Sequence, residues 1–271
     1  MVVIIMSNFT FLTEEQIFGN NQLDIIKKYG TKCAITDFSI LLGGCVSKDY
    51  YTSEGYTKKD RTGWWWTKSC DGYNNVRAVD VSGINDWFYV DIRVGGARPA
   101  ITYSSIQSKC SNAVITSKGI KEIEYGEYPQ TIVAEDYSRE LEKAYNNGNL
   151  SRTGKSYTTD SINYQAVNTS FNARTHTEYE YNGRKYIRFV GDSNCSNEEL
   201  SDGRTIESGK PYWVAVEPIT WLVDEKADIA LSEKILFSGV QFKNDRYYNG
   251  NFSETDIKQF MDNYFSKEIV S

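Results

Sequence analysis

The chain has 271 residues, enough for one large hydrophobic core or two smaller ones. A hydrophobic fraction of 40%, a charged fraction of 24% and only 4 prolines describe folded protein and exclude long disordered linkers. A net charge of −6 offers no clustered basic footprint for a phosphate backbone, which argues against nucleic acid as a partner.

In chain order, residues up to 45 read as helices. Thr13 with Gln16 three positions later is a capping-box pattern, and Gly19, Gly30 and Gly43 stand where helices would stop. Leu23, Ile25, Ile26 and Tyr29 supply the buried face of one of them. After a polar loop over 47–63 the texture changes to short strand-like runs at 64–68, 76–81, 87–93 and 97–101, with Ser82-Gly83 and Gly95-Gly96 as turn signals. A Ser-rich stretch, 104–118, reads as a linker or exposed loop between a 1–103 region and a 119–271 region. The second region predicts a strand over 120–133, a helix over 138–147 and a polar stretch to 177. A hairpin over 178–190 turns at Asn182-Gly183, strands follow at 212–223 and 229–237, and a helix capped by Ser253 closes the chain. Ile257, Phe260, Met261, Tyr264 and Phe265 share one face of that helix. The sum is an α+β fold in which the strands of the first region need the second region as cover, so the two are expected to pack together.

The five cysteines, Cys33, Cys45, Cys70, Cys110 and Cys195, contain no C-x-x-C pair and fit free thiols in a reducing compartment. Residues 1–6 lack the basic leader and cleavage site of a signal peptide, and no apolar run is long enough to span a bilayer, so the expected location is the cytoplasm, away from membrane. Catalytic signatures are few. The one histidine, His176, sits in a polar stretch and is expected at a solvated edge. No set of His and Cys has zinc spacing, no phosphate loop or dinucleotide fingerprint is present, and Asp224, Glu225 and Asp228 read as a solvated turn rather than a cation site. The expectation is a binding module with no catalytic residue, no metal and no cofactor.

The segment that stands apart runs over 64–99. Trp64, Trp65 and Trp66 are adjacent, so in a strand Trp64 and Trp66 share one face and Trp65 takes the other. The run that follows is rich in Tyr, Asn, Asp, Ser and Gly, the composition that adaptable recognition surfaces use. An ordinary loop-rich β region has the same preferences at its turns.

Trp64-Trp-Trp-Thr-Lys-Ser69, followed by Gly96-Ala97-Arg98-Pro99-Ala100, resembles the W-W-x-R-S … V-R-P-A signature of a C-type-lectin-like domain family found in gut Firmicutes and their phages. Tyr125-Gly-Glu-Tyr-Pro-Gln130, Ile219-Thr-Trp221-Leu-Val223, Ala230-Leu-Ser232 and Ile235-Leu236 resemble the other half of that signature, although here the halves come in reversed order. The resemblance implies a C-type-lectin-like fold, helices packed on short antiparallel strands and elaborated by a second packed region, related to that of the formylglycine-generating enzyme.

The 70–94 window also resembles the variable proteins of diversity-generating retroelements, in which adenine-directed mutagenesis diversifies chosen codons. That likeness implies a protein-binding surface formed by Cys70, Asp71, Tyr73, Asn75, Asp80, Ser82, Ile84, Asn85, Tyr89, Asp91 and Val94. Val76, Ala78, Val81, Trp87 and Val90 would be its fixed scaffold, with Trp64, Trp66 and Arg98 also structural and Arg98 paired with a carboxylate. The alternatives are an enzyme of the formylglycine-generating type, for which only Cys70 lies in a suitable region, and a structural or sensor domain of a larger effector.

Overall fold

The computed structural model describes residues 9–47, 61–72, 74–160, 171–192, 198–244 and 247–270. Its helices are α1 (Glu14–Phe18), α2 (Asp24–Tyr29), α3 (Asp37–Leu41), α4 (Glu135–Asn146), α5 (Asp256–Phe260) and α6 (Ser266–Glu268), with a π-helical turn, Met261–Phe265, between the last two. Its strands are β1 (Cys33–Ala34), β2 (Thr62–Gly63), β3 (Trp65–Cys70), β4 (Asn75–Val79), β5 (Asn85–Tyr89), β6 (Ala100–Thr102) and β7 (Ser111–Ile115), then β8 (Lys121–Ile132), β9 (Ser151–Asp160), β10 (Ala173–Tyr181), β11 (Arg184–Val190), β12 (Pro211–Asp224) and β13 (Ile229–Ser232).

Strands dominate, which corrects the α+β, C-type-lectin-like expectation: the core is a large antiparallel sheet, and most helices are single turns. The local helix signals are genuine. Thr13 and Gln16 form the reciprocal capping box, and Thr36 accepts from the Ser39 N–H to start α3. What the caps cannot supply is length, because Gly19 and Gly30 end α1 and α2 after 5 and 6 residues. In the second half, by contrast, β8 extends to 12 residues and β12 to 14.

The eight-stranded sheet is organised by β12. Residues 214–223 pair with β8, while the start of β12 pairs with β11 and its end with β13. Register shifts at Ala215/Val216 and Pro218/Thr220 mark bulges that let one long strand serve partners on both sides. β11 continues into β10 and β9, and β13 into β6. The 178–190 hairpin turns where the sequence places it, with Asn182 and Gly183 both in the left-handed region at φ 52° and 73°. The Ser-rich 104–118 segment contains β7, which pairs with β8, and the polar stretch before 177 contains β9.

One face of the sheet is covered by α4, whose Leu141 packs with Val133, Tyr179, Tyr186 and Trp213. The other face meets the N-terminal segments and the C-terminal helices in a single large core. β6 belongs to the 1–103 stretch yet lies on the sheet edge beside β13, and the Asp224 carboxylate accepts the Asp24 N–H at the start of α2 at 2.7 Å. The last helix begins at Asp256, capped by Thr255 rather than Ser253, which lies in a preceding 3-10 turn. His176, expected at a solvated edge, is buried in β10, stacked on Phe189 and hydrogen-bonded to the Thr159 hydroxyl at 2.9 Å.

Candidate ligand-binding face

The 64–99 window folds into a separate three-stranded antiparallel sheet, β3-β4-β5. Trp64, Trp65 and Trp66 are all buried, and the alternation predicted for them holds. Trp64 and Trp66 lie edge to face at 4.6 Å, and Phe88 stacks on Trp64 at 4.3 Å. Trp65 takes the opposite face, where its indole N–H donates to the Thr31 carbonyl at 3.2 Å and the Arg98 guanidinium lies 5.0 Å from its ring. Arg98 is buried, as expected, but its partner is the Ser232 carbonyl at 3.0 Å instead of a carboxylate.

Gly95 and Gly96 fix the approach of the chain to this Trp cluster. Trp66 N–H donates to the Gly96 carbonyl and Gly96 N–H to the Trp64 carbonyl, while a Cβ on Gly95 would stand 2.1 Å from the Trp66 ring. The scaffold positions Val76, Ala78, Val81 and Val90 are buried beneath the sheet.

Antiparallel register places Arg77 opposite Trp87 and Asn75 opposite Tyr89. Residues 75 and 77 of β4 and 85, 87 and 89 of β5 therefore share the outer face. The N-terminal segment covers one end of it: the Asn85 amide donates to Glu14 at 2.5 Å, and Arg77 bridges Asp71 at 2.9 Å and Glu14 at 3.6 Å. The other end is open, with Ile84 60%, Trp87 43% and Tyr89 54% exposed, and the Trp87 and Tyr89 rings meet edge to face at 5.9 Å.

The sequence-based assignments divide on this geometry. Ile84, Asn85, Tyr89 and Asn75 come together on or beside the open face, and Asp91 lies half-buried just beyond its end. Cys70 is exposed at the end of β3, with its thiol 2.9 and 3.1 Å from the Gly72 and Tyr248 carbonyls; burial pushes that thiol up, against a backbone hydrogen bond from Gly72, and Asp71 adds to the rise. Asp71 is engaged with Arg77.

Four expectations are corrected. Ser82 is buried, and Asp80 is a turn residue whose carboxylate accepts from Ser82 N–H, Ser82 hydroxyl and Ile84 N–H at 2.8, 2.6 and 2.9 Å. Val94 packs against the core. Trp87, expected to be scaffold, is turned outward with Tyr89. Its signal was in the sequence: Asn85, Trp87 and Tyr89 are spaced by two, which places all three on one strand face. Tyr73 lies outside the described residues.

What this face can do is bind. It offers two aromatic rings and an isoleucine for contact area, and an arginine held by two carboxylates. Among the described residues no group of three or more His, Cys, Asp or Glu is placed to hold a metal, and no helix is long and apolar enough to cross a membrane.

Comparison with known proteins adds no relative. No family model, curated protein or solved structure matches the chain.

Proposed function

We propose that this protein is a protein-recognition module whose ligand surface is the outer face of β4 and β5, centred on Ile84, Trp87 and Tyr89. The observation that carries this is the contrast across one short strand: Phe88 stacks on the buried Trp64, while the residues on either side of it are large, apolar and exposed. Exposed aromatic side chains on a rigid support, ringed by polar and charged groups, form the anatomy of an interface core. The same arrangement suits the variable protein of a diversity-generating retroelement, because the outward residues can change while the buried Trp cluster and Gly95-Gly96 hold the sheet. The described cysteines, Cys33, Cys45, Cys70 and Cys110, are free thiols, which fits a reducing compartment such as the cytoplasm.

The experiment is to sequence the DNA flanking the gene. A reverse-transcriptase gene and a near-copy of the segment encoding residues 64–99, differing at adenines in the codons for Asn75, Ile84, Asn85 and Tyr89, would support the diversified reading. A near-copy whose differences fall in the codons for Trp64, Trp65, Trp66 and Val76 would contradict it.

A further inference from the structure

We propose that β5 takes its partner by strand addition, the occupant being an extended, basic segment of another protein; this rests on the recognition face described above and specifies how that face is used.

The backbone of β5 alternates between a paired and an unpaired side. Even-numbered residues turn inward, since the Ile84 carbonyl accepts from Asp80 N–H and Val90 N–H donates to the Asn74 carbonyl, each at 3.0 Å. Odd-numbered residues turn the other way. Trp87 N–H finds no strand there and is held at 2.8 Å by the side chain of the neighbouring Asp86. β5 ends the three-stranded sheet, so among the described residues Asn85 and Trp87 direct their backbone groups at an open edge, while the Tyr89 carbonyl accepts from Ile92 N–H at 3.3 Å. A side chain folded back onto such an N–H keeps an edge from pairing indiscriminately, yet an incoming carbonyl can displace it.

The charge around this edge selects the occupant. Asp86 lies in β5 itself, and beside it Asp71 and Glu14 share one cation, Arg77. A second copy of this chain, docked edge to edge, would bring two such acidic sets together and be repelled. A basic segment is attracted. Strand alternation then defines its pattern: side chains on the outer face lie beside Trp87 and Tyr89 and should be apolar, and the intervening ones meet Asp86 and should be Lys or Arg.

The test is selection of a random linear-peptide library displayed on phage against the intact chain, with the Trp87→Ser variant as counter-target. The expected winners alternate apolar residues with Lys or Arg and bind about tenfold more weakly when salt rises from ~0.05 to ~0.5 M. N-methylating every second peptide amide should cost about a hundredfold or more in one register and little in the other, because only one set of amides faces β5. Winners that bind the chain but not Trp87→Ser, yet lack basic residues or tolerate N-methylation in both registers, would overturn strand addition and leave the recognition face standing. No enrichment over Trp87→Ser would overturn both.

Discussion

The ring of Phe88 lies parallel to that of Trp64, 4.3 Å away at an interplanar angle of 22°, and this contact orients β5. With Phe88 held inward, Trp87 and Tyr89 on either side must point out. Stability and the proposed recognition therefore belong to alternate residues. Trp65→Ala, which empties a fully buried site, should destabilise the protein by about 3–5 kcal/mol in denaturant unfolding. Trp87→Ala should cost no more than about 1 kcal/mol, the loss of one exposed edge-to-face contact.

Gly95→Ala should also destabilise the fold, for the opposite reason. The added methyl would stand 2.1 Å from the Trp66 indole, which is itself buried among Trp64, Phe88 and Phe242 and has little room to shift. Overpacking of this kind costs about 1–3 kcal/mol, and a thermal melt would read it as a drop of several degrees.

Glu268 should make the fold weaken as pH rises through neutrality. Its carboxylate accepts the Thr158 N–H at 2.8 Å, tying α6 to β9, but burial raises its pKa from the ordinary 4.5 to about 7. A folded-state pKa raised above the unfolded value contributes stability that is full below about 4.5 and lost as pH climbs to 7 and beyond. The loss is on the order of 3 kcal/mol. Glu268→Gln keeps an acceptor for Thr158 without the charge, so its stability should exceed the parent's at pH 8, and a urea titration across pH should show the parent's slope flattened.

His176 works in the opposite direction. Burial, assisted by the positive charge of Arg174, lowers its pKa from 6.5 to about 4. The neutral ring contributes stability present above 6.5 and lost as pH falls through 4, again on the order of 3 kcal/mol. His176→Gln should remove that part of the acid sensitivity, measured as the change in urea midpoint between pH 7 and pH 4.

The sequence was legible where hydrophobic alternation or turn chemistry acts alone. The three tryptophans divide between faces as period two demands, Asn182-Gly183 makes its hairpin, and the apolar runs of β8 and β12 are long enough to recognise. β9 was hidden because its buried half is polar: Thr158, Thr159 and Asp160 are satisfied by Glu268, His176 and Arg93, partners contributed by distant segments. His176 was misplaced for the same reason, since its cover of Phe189 and Phe38 comes from elsewhere in the chain. The fold class was misjudged because caps announce where helices start but not how soon they stop. In the candidate site, composition picks out the window but not its faces, so it includes the buried Ser82 and the core-packed Val94 and leaves out the outward Trp87.

The most direct measurement is saturation mutagenesis of residues 64–96 in a display format that reports folded abundance for every variant. Asn75, Ile84, Trp87 and Tyr89 should accept most substitutions with little loss, while Trp64, Trp65, Trp66, Val76, Ala78 and Gly95 should accept few, because a recognition surface that is free to vary must not be required for folding. Broad intolerance at Ile84, Trp87 and Tyr89, equal to that at the Trp cluster, would contradict the account.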